Sequence, residues 1–363
     1  MPISAFVVWT LVTALVSARP ADSLFEAKSA GWLLSIWIVA IALGEDGAPR
    51  RWFVLLCACV AVVAALSIVQ VAACPAAPPP WPVLGRFFRK CGRAHGFYSI
   101  YMTLAGVLLL VLTAALPWLV TTARRRRLGA VAWFIGVVAL GVTYVRGAWI
   151  GVAAGVAASV LLMRRRAALR FAAVAVVVVA AAAVPEIVEE IRSPGPRWVL
   201  DDTSRDRLAM FDGGLHMIAD HPLTGVGPGQ VKRTYPQYAT REALRRSTSH
   251  LHNTPLQMAV ERGVPGLLLW LSLFGAFFVR AAAIYRRLTE PEDRAIVGGV
   301  IAAIIAFLVA GVFEYNFGDT EVLLVVCALM ALPFAMERAL ARPERQARTP
   351  AVRSRSACGR STP

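Results

Sequence analysis

The sequence predicts an all-α, polytopic integral membrane protein of about ten transmembrane helices with one long, partly helical external loop. Three observations lead there. Apolar residues make up 58% of the 363 residues and mean hydropathy is +0.61, whereas soluble domains average roughly 45–50% apolar. Those residues gather into stretches approaching the ~20 residues that a spanning helix needs. Arginine clusters fall between the stretches, at Arg124 to Arg127 and Arg164 to Arg166. Lipid cannot satisfy an open backbone, so the spans are helices.

Taken in order, the spans are expected at residues 3–16, 31–43, 52–73, 98–120, 128–145, 147–163, 169–184, 264–279, 295–313 and 322–336. The first two are short. Residues 1–16 resemble the apolar segment of a signal peptide, but no basic residue precedes them, so they are read as a first span. The stretch 131–163 is decided by length. One helix would run about 50 Å against a hydrocarbon core of roughly 30 Å, and would separate its two flanking arginine blocks. A hairpin turning near Arg146 keeps both blocks on the cytoplasmic side.

The alternation then places Arg50, Arg51, residues 280–294 and the C-terminal tail inside. Residues 74–97, the Arg146 turn, residues 185–263 and residues 314–321 fall outside. This divides the chain into an N-terminal helical region over residues 1–127, a core over residues 128–336 and a basic tail over residues 337–363. The last residues of that tail, 343–363, have a composition that favours disorder. An external loop of residues 185–263 is too long for a connector, which marks it as functional.

The net charge of +16 raises the possibility of nucleic-acid binding. The arginines instead follow the spans, and no basic face interleaved with aromatics is present, so nucleic acid is excluded as a partner. The six cysteines show no metal-ligand spacing, and no metal or cofactor is expected. Cys57, Cys59 and Cys327 read as small core residues. Cys74 and Cys91 flank one polar segment and would pair if it faces an oxidising compartment.

Several external residues are candidates for chemistry. Residues 74–97 carry Arg86, Arg89, Lys90 and Arg93 against the topology. They form either a helix on acidic headgroups, with Phe87 and Phe88 dipping inward, or a site for a phosphorylated lipid with Arg93 as its best ligand. Arg146 either snorkels beside Trp149 or ligates an anion in a protein cavity; intramembrane arginine defaults to function. Thr203 and Asp206 have capping-box spacing ahead of a helix whose Leu208, Phe211, Leu215 and Ile218 form one stripe. Arg207 in its first turn opposes the helix dipole and so calls for an anion, either a ligand or Asp201 or Asp202. Gly225, Gly227 and Gly229 permit turns of positive φ but lack the Lys-Ser/Thr of a P-loop.

Thr254, Pro255 and Gln257 read as a capped helix start, with Gly263 closing the helix. His252 then sits just ahead of a helix N-terminus, whose positive end disfavours imidazolium and suits a general base. His250 competes for that role, and both residues have the alternative of packing or capping. Glu314 offers a carboxylate or acceptor contacts; Asp319 does the same or caps the last helix.

The order Arg146-Gly-Ala-Trp, Arg207, His221-Pro-Leu-Thr-Gly-Val-Gly-Pro-Gly229, His252-Asn253, Leu256-Gln257 and Glu261-Arg-Gly-Val-Pro-Gly266 resembles the O-antigen ligase/polymerase family. The stretch 315–319 is also similar to some members, whereas Phe211 stands where they often carry tryptophan. The resemblance implies a metal-independent glycosyltransferase of the bacterial inner membrane, with its active site facing the periplasm. Its donor would be a glycan on undecaprenyl pyrophosphate and its acceptor a hydroxyl of lipid A-core or another glycan, with membrane lipids as surroundings. Arg146 and Arg207, with Arg93, would hold pyrophosphate; His252 would serve the acceptor hydroxyl, with Asn253, His250, Glu314 and Asp319 in support. A polymerase would use the same donor. A transporter of anionic lipid or solute would also want such arginines, but the polar residues lie in one external loop rather than at broken helices near the midplane.

Overall fold

The computed structural model describes residues 2–45, 47–77, 79–122, 126–163, 202–241 and 243–348. The expected span 169–184, the arginines at 164–166, the start of the long loop and the last residues of the tail lie outside them. Every regular element among the described residues is helical. In chain order these are α1 (Pro2–Leu15), α2 (Pro20–Gly31), α3 (Ser35–Ala42), α4 (Ala48–Ala72), α5 (Pro82–Phe88), α6 (Tyr101–Thr121) and α7 (Arg126–Gly141). They continue as α8 (Arg146–Met163), α9 (Asp202–Asp220), α10 (Val231–Tyr238), α11 (Thr254–Arg287), α12 (Pro291–Gly311) and α13 (Thr320–Arg348).

Six described helical stretches are long and apolar enough to cross a membrane, and three shorter apolar helices accompany them. The chain is an all-α polytopic membrane protein. The expected second span, 31–43, is longer than its apolar run suggested. α2 passes through a 3-10 turn at Trp32–Leu34 into α3, giving one candidate span over Pro20–Ala42. The expected hairpin within 131–163 is present as the break between α7 and α8, where Tyr144 adopts φ 56°. α13 runs on to Arg348, into the segment expected to be disordered; its Glu, Arg, Gln and Ala residues are good helix formers.

The bundle is built around α6 and α12. Nearly all of α6 is buried, and α12 packs most closely on α6 and α8. Small residues allow this. A Cβ on Gly299 would lie 2.0 Å from the Ala114 carbonyl oxygen, and one on Gly155 would lie 2.4 Å from the Thr113 methyl. Without a hydrophobic drive between helices in lipid, close backbone approach supplies the packing. α4 lies outside this centre, with Leu55, Val62 and Val69 exposed as lipid-facing residues would be.

Polar residues sort to the two ends. At one, Arg50 pairs with Asp293 and lies 3.7 Å from Glu292, while Arg280 and Arg287 approach Glu337. The C-terminal end of α6 lies there too, with Trp118 Nε1 donating to Glu292 at 2.8 Å. The other end carries the N-terminus of α6, the α7–α8 turn and the loop helices α9 and α10.

α11 is kinked rather than ended at Gly263, whose φ of 70° and ψ of 176° are non-helical. The break frees carbonyls, and the glycine loop satisfies them. Pro265 has no N–H to give Glu261 O, so Gly227 N donates to it at 3.0 Å. Val226 N donates to Val260 O at 2.9 Å, Val264 N turns to Pro222 O at 2.8 Å, and Trp9 Nε1 donates to Arg262 O at 2.8 Å. No side chain fits here: a Cβ on Gly263 would stand 2.0 Å from Leu223 O, and one on Gly225 would stand 2.4 Å from Val260 O. Glu261 and Arg262 are both buried and pair at 2.6 Å; Gln257 and Gly229 N also donate to Glu261. Two sequence stretches far apart in the chain thus form one rigid corner.

Candidate functional site

A cavity of about 640 Å3 opens at the end of the bundle that carries the loop helices. Arg93, Arg146, Arg207, Arg245, His252 and Glu314 line it, together with Tyr101, Tyr144 and Asp206. Among the described residues, the lining carries four arginines and two carboxylates.

Each cation is placed by a different element. Arg93 follows the Cys74–Cys91 disulfide, whose Cα atoms are 5.5 Å apart. Its guanidinium lies 4.8 Å from the Tyr101 ring centre and 5.9 Å from that of Tyr144. The strap around it is pinned by Ala94 N donating to Val142 O, and by buried Gln70, whose side-chain oxygen accepts from His95 N and Gly96 N. Phe87 and Phe88, expected to dip inward, pack edge-on against each other, and Phe87 also meets Phe97. Arg146 is the first residue of α8, so its charge and the positive end of that helix face the same cavity.

Arg207 pairs with Glu314 at 2.7 Å, while the other expected partners, Asp201 and the Asp202 side chain, lie outside the described residues. The capping box expected at Thr203 and Asp206 rests on a Thr203 side chain outside the described residues. α9 begins at Asp202, and the Asp206 carboxylate accepts from Arg245 N at 3.0 Å, with the Arg245 guanidinium at 3.5 Å. Leu208, Phe211 and Leu215 are exposed, and α9 packs instead through Met210, Met217, Gly213 and Gly214.

His252 sits at the start of α11 with φ 50°. Its Nδ1 lies 3.1 Å from Glu314 Oε2, and both side chains are largely buried. One carboxylate therefore joins Arg207 through Oε1 and His252 through Oε2. The N-cap is Asn253, not Thr254: its side chain accepts from Leu256 N at 2.9 Å and donates to Val312 O at 3.0 Å. Thr254 donates to Glu314 O at 2.8 Å, which fixes the carboxylate's backbone beside the histidine. Gln257 accepts from Leu251 N instead of closing a capping box on Thr254.

His250 stacks on His252 at 4.6 Å between ring centres and is not among the residues lining the cavity. Burial lowers its pKa, the neighbouring His252 lowers it further, and Glu314 opposes both. Asp319 caps α13 through Glu321 N and Val322 N and accepts from Thr103, so it is committed outside the cavity. Burial chiefly raises its carboxyl above the usual range.

The three non-glycine residues of positive φ among those described are Lys90, Tyr144 and His252. Each stands in or just before a segment that supplies the cavity. Such conformations cost about 1–3 kcal/mol and persist where surrounding contacts enforce them. Arg245 had no signal along the chain, because a polar loop residue facing a cavity has no spacing, and the spacing of Asp206 suggested only a cap.

Fold and site together define a multi-pass membrane protein with a cavity lined by arginine and histidine at one end of its bundle. A family model described as O-antigen ligase matches residues 130–271. The match spans Arg146, Arg207 and His252; Arg93 and Glu314 come from outside it. The match supports a function of the O-antigen ligase/polymerase type in general. Comparison with curated proteins finds no match.

Proposed function

We propose that the chain transfers a glycan from undecaprenyl pyrophosphate to an acceptor hydroxyl, of lipid A-core or a similar saccharide, at the periplasmic face of the inner membrane. The observation that carries this reading is the meeting of Arg93, Arg146, Arg207 and the His252–Glu314 pair in one cavity. That cavity lies at the N-terminal end of α6, opposite the end that carries Arg50, Arg280 and Arg287, which suits external chemistry under the positive-inside rule. The disulfide beside Arg93 also suits an oxidising compartment.

In this mechanism His252 Nδ1–H donates to Glu314 Oε2, which leaves the Nε2 lone pair free to act as base. The acceptor hydroxyl gives its proton to Nε2 as its oxygen attacks the anomeric carbon. The bond from that carbon to the pyrophosphate oxygen breaks, and the pyrophosphate leaves with the electron pair. Arg93 and Arg146 hold the growing negative charge; guanidinium stays protonated and grips phosphate oxygens in a fork. Glu314 stabilises the imidazolium that forms, and Arg207 fixes Glu314.

Reconstitution with lipid-linked glycan and a saccharide acceptor tests the proposal. Glycan should move to the acceptor in the wild type and fail to do so in His252→Ala. Transfer only onto a second lipid-linked glycan would instead mark a polymerase. No transfer to either acceptor would overturn the reading.

A further inference from the structure

The external helix α9 presents an unexplained surface. Leu208, Phe211 and Leu215 are 56%, 43% and 49% exposed, and their spacing puts them on one side of the helix. Arg205, Asp212 and His216 occupy the neighbouring exposed side. Three large apolar side chains facing water would be costly.

The two ends of α9 fix what that side meets. Near its start, Arg207 is tied to Glu314, which directly follows the spanning helix α12. Just beyond its end, Pro222 O accepts from Val264 N, where the membrane-crossing stretch of α11 begins. Both anchors are therefore ends of spanning helices, and the ~20 Å of helix between them runs along the bilayer surface. Arg207 also sets the rotation. Its side chain reaches toward the bundle end, and Phe211, four residues on, shares its face. His216, nine residues on, is half a turn away and points to solvent.

We infer that α9 is an interfacial helix whose Leu208, Phe211 and Leu215 rest in the leaflet of the bilayer on the cavity's side. The occupant is lipid: an amphipathic helix lying in the interface buries its apolar side about 5–10 Å into the headgroup and acyl boundary. Leu244 is also exposed and lines the cavity, and the next residue, Arg245, is tied to Asp206 of α9. This contact holds the mouth at headgroup depth whatever reaction the cavity performs.

The test is site-directed spin labelling of the full chain in nanodiscs. Cys57, Cys59, Cys327 and Cys358 are replaced by alanine and the Cys74–Cys91 disulfide is kept. Nitroxides are attached at Phe211→Cys, Leu215→Cys and, on the other side, His216→Cys. Labels at 211 and 215 should collide with oxygen and be shielded from a water-soluble nickel chelate, with the reverse at 216. Nickel access at 211 and 215 equal to that at 216 would overturn the inference. So would shielding of 211 and 215 from both reagents, which would mean that protein covers the face.

Discussion

Glu314 Oε2 lies 3.1 Å from His252 Nδ1 while Oε1 of the same carboxylate lies 2.7 Å from Arg207. The pair joins the turn after α12 to the start of α11, and Arg207 adds α9. A single carboxylate therefore decides both the tautomer of the histidine and the place of a cation.

Glu314→Ala should lower the transfer rate by about 10²–10⁴-fold, the usual range for losing positioned acid–base help. Arg207→Ala should lower it as well, and the double variant should be little worse than Glu314→Ala, because the residues act as a unit. Initial rates in proteoliposomes check this. Additive losses would mean that Arg207 acts on its own.

The corner at Gly263 should tolerate no side chain. Gly263→Ala places a Cβ 2.0 Å from Leu223 O at a φ of 70°. It should cost more than the ~1–3 kcal/mol of backbone strain alone. Gly275→Ala, with open space around it, should be neutral or slightly stabilising. Thermal unfolding in detergent separates the two.

Breaking the disulfide should act on substrate binding. Cys91→Ser frees the strap that presents Arg93 to the cavity, so KM for the lipid-linked donor should rise several-fold, in the same direction as Arg93→Ala. An unchanged KM in both variants would remove Arg93 from the donor site.

The external loop should weaken in acid. Burial, chiefly, lowers the pKa of His250 below its ordinary value of 6.5, so the unfolded state takes a proton that the folded state refuses. The stability it contributes is complete above pH 6.5 and declines as pH falls below that value. His250→Phe should flatten this decline, as read by unfolding midpoints between pH 5 and pH 7.5. An equal slope in the variant would assign the decline to another group.

Most spans among the described residues were legible because apolar length is a local property. The break before Arg146 followed from length and from the arginine blocks on either side. The turn glycines at 225, 227 and 263 were legible as backbone needs, but their shared purpose was not, since it depends on the missing N–H of Pro265. Caps misled for a related reason. Asn253 and Thr254 both suit an N-cap, and the choice fell to Asn253 because Thr254 is drawn to Glu314 O. The outward face of Leu208, Phe211 and Leu215 could not be read either. Periodicity shows a stripe without saying whether protein or lipid meets it. Arg245 and the dual contact of Glu314 are tertiary facts with no signature along the chain.

The most direct measurement compares donor binding with turnover in two variants, using purified protein and a lipid-pyrophosphate-linked glycan. His252→Ala should bind the donor as the wild type does and transfer none of it, whereas Arg146→Ala should lose binding. Undiminished transfer by His252→Ala, or undiminished donor binding by Arg146→Ala, would contradict the assignment of base and anion site to this cavity.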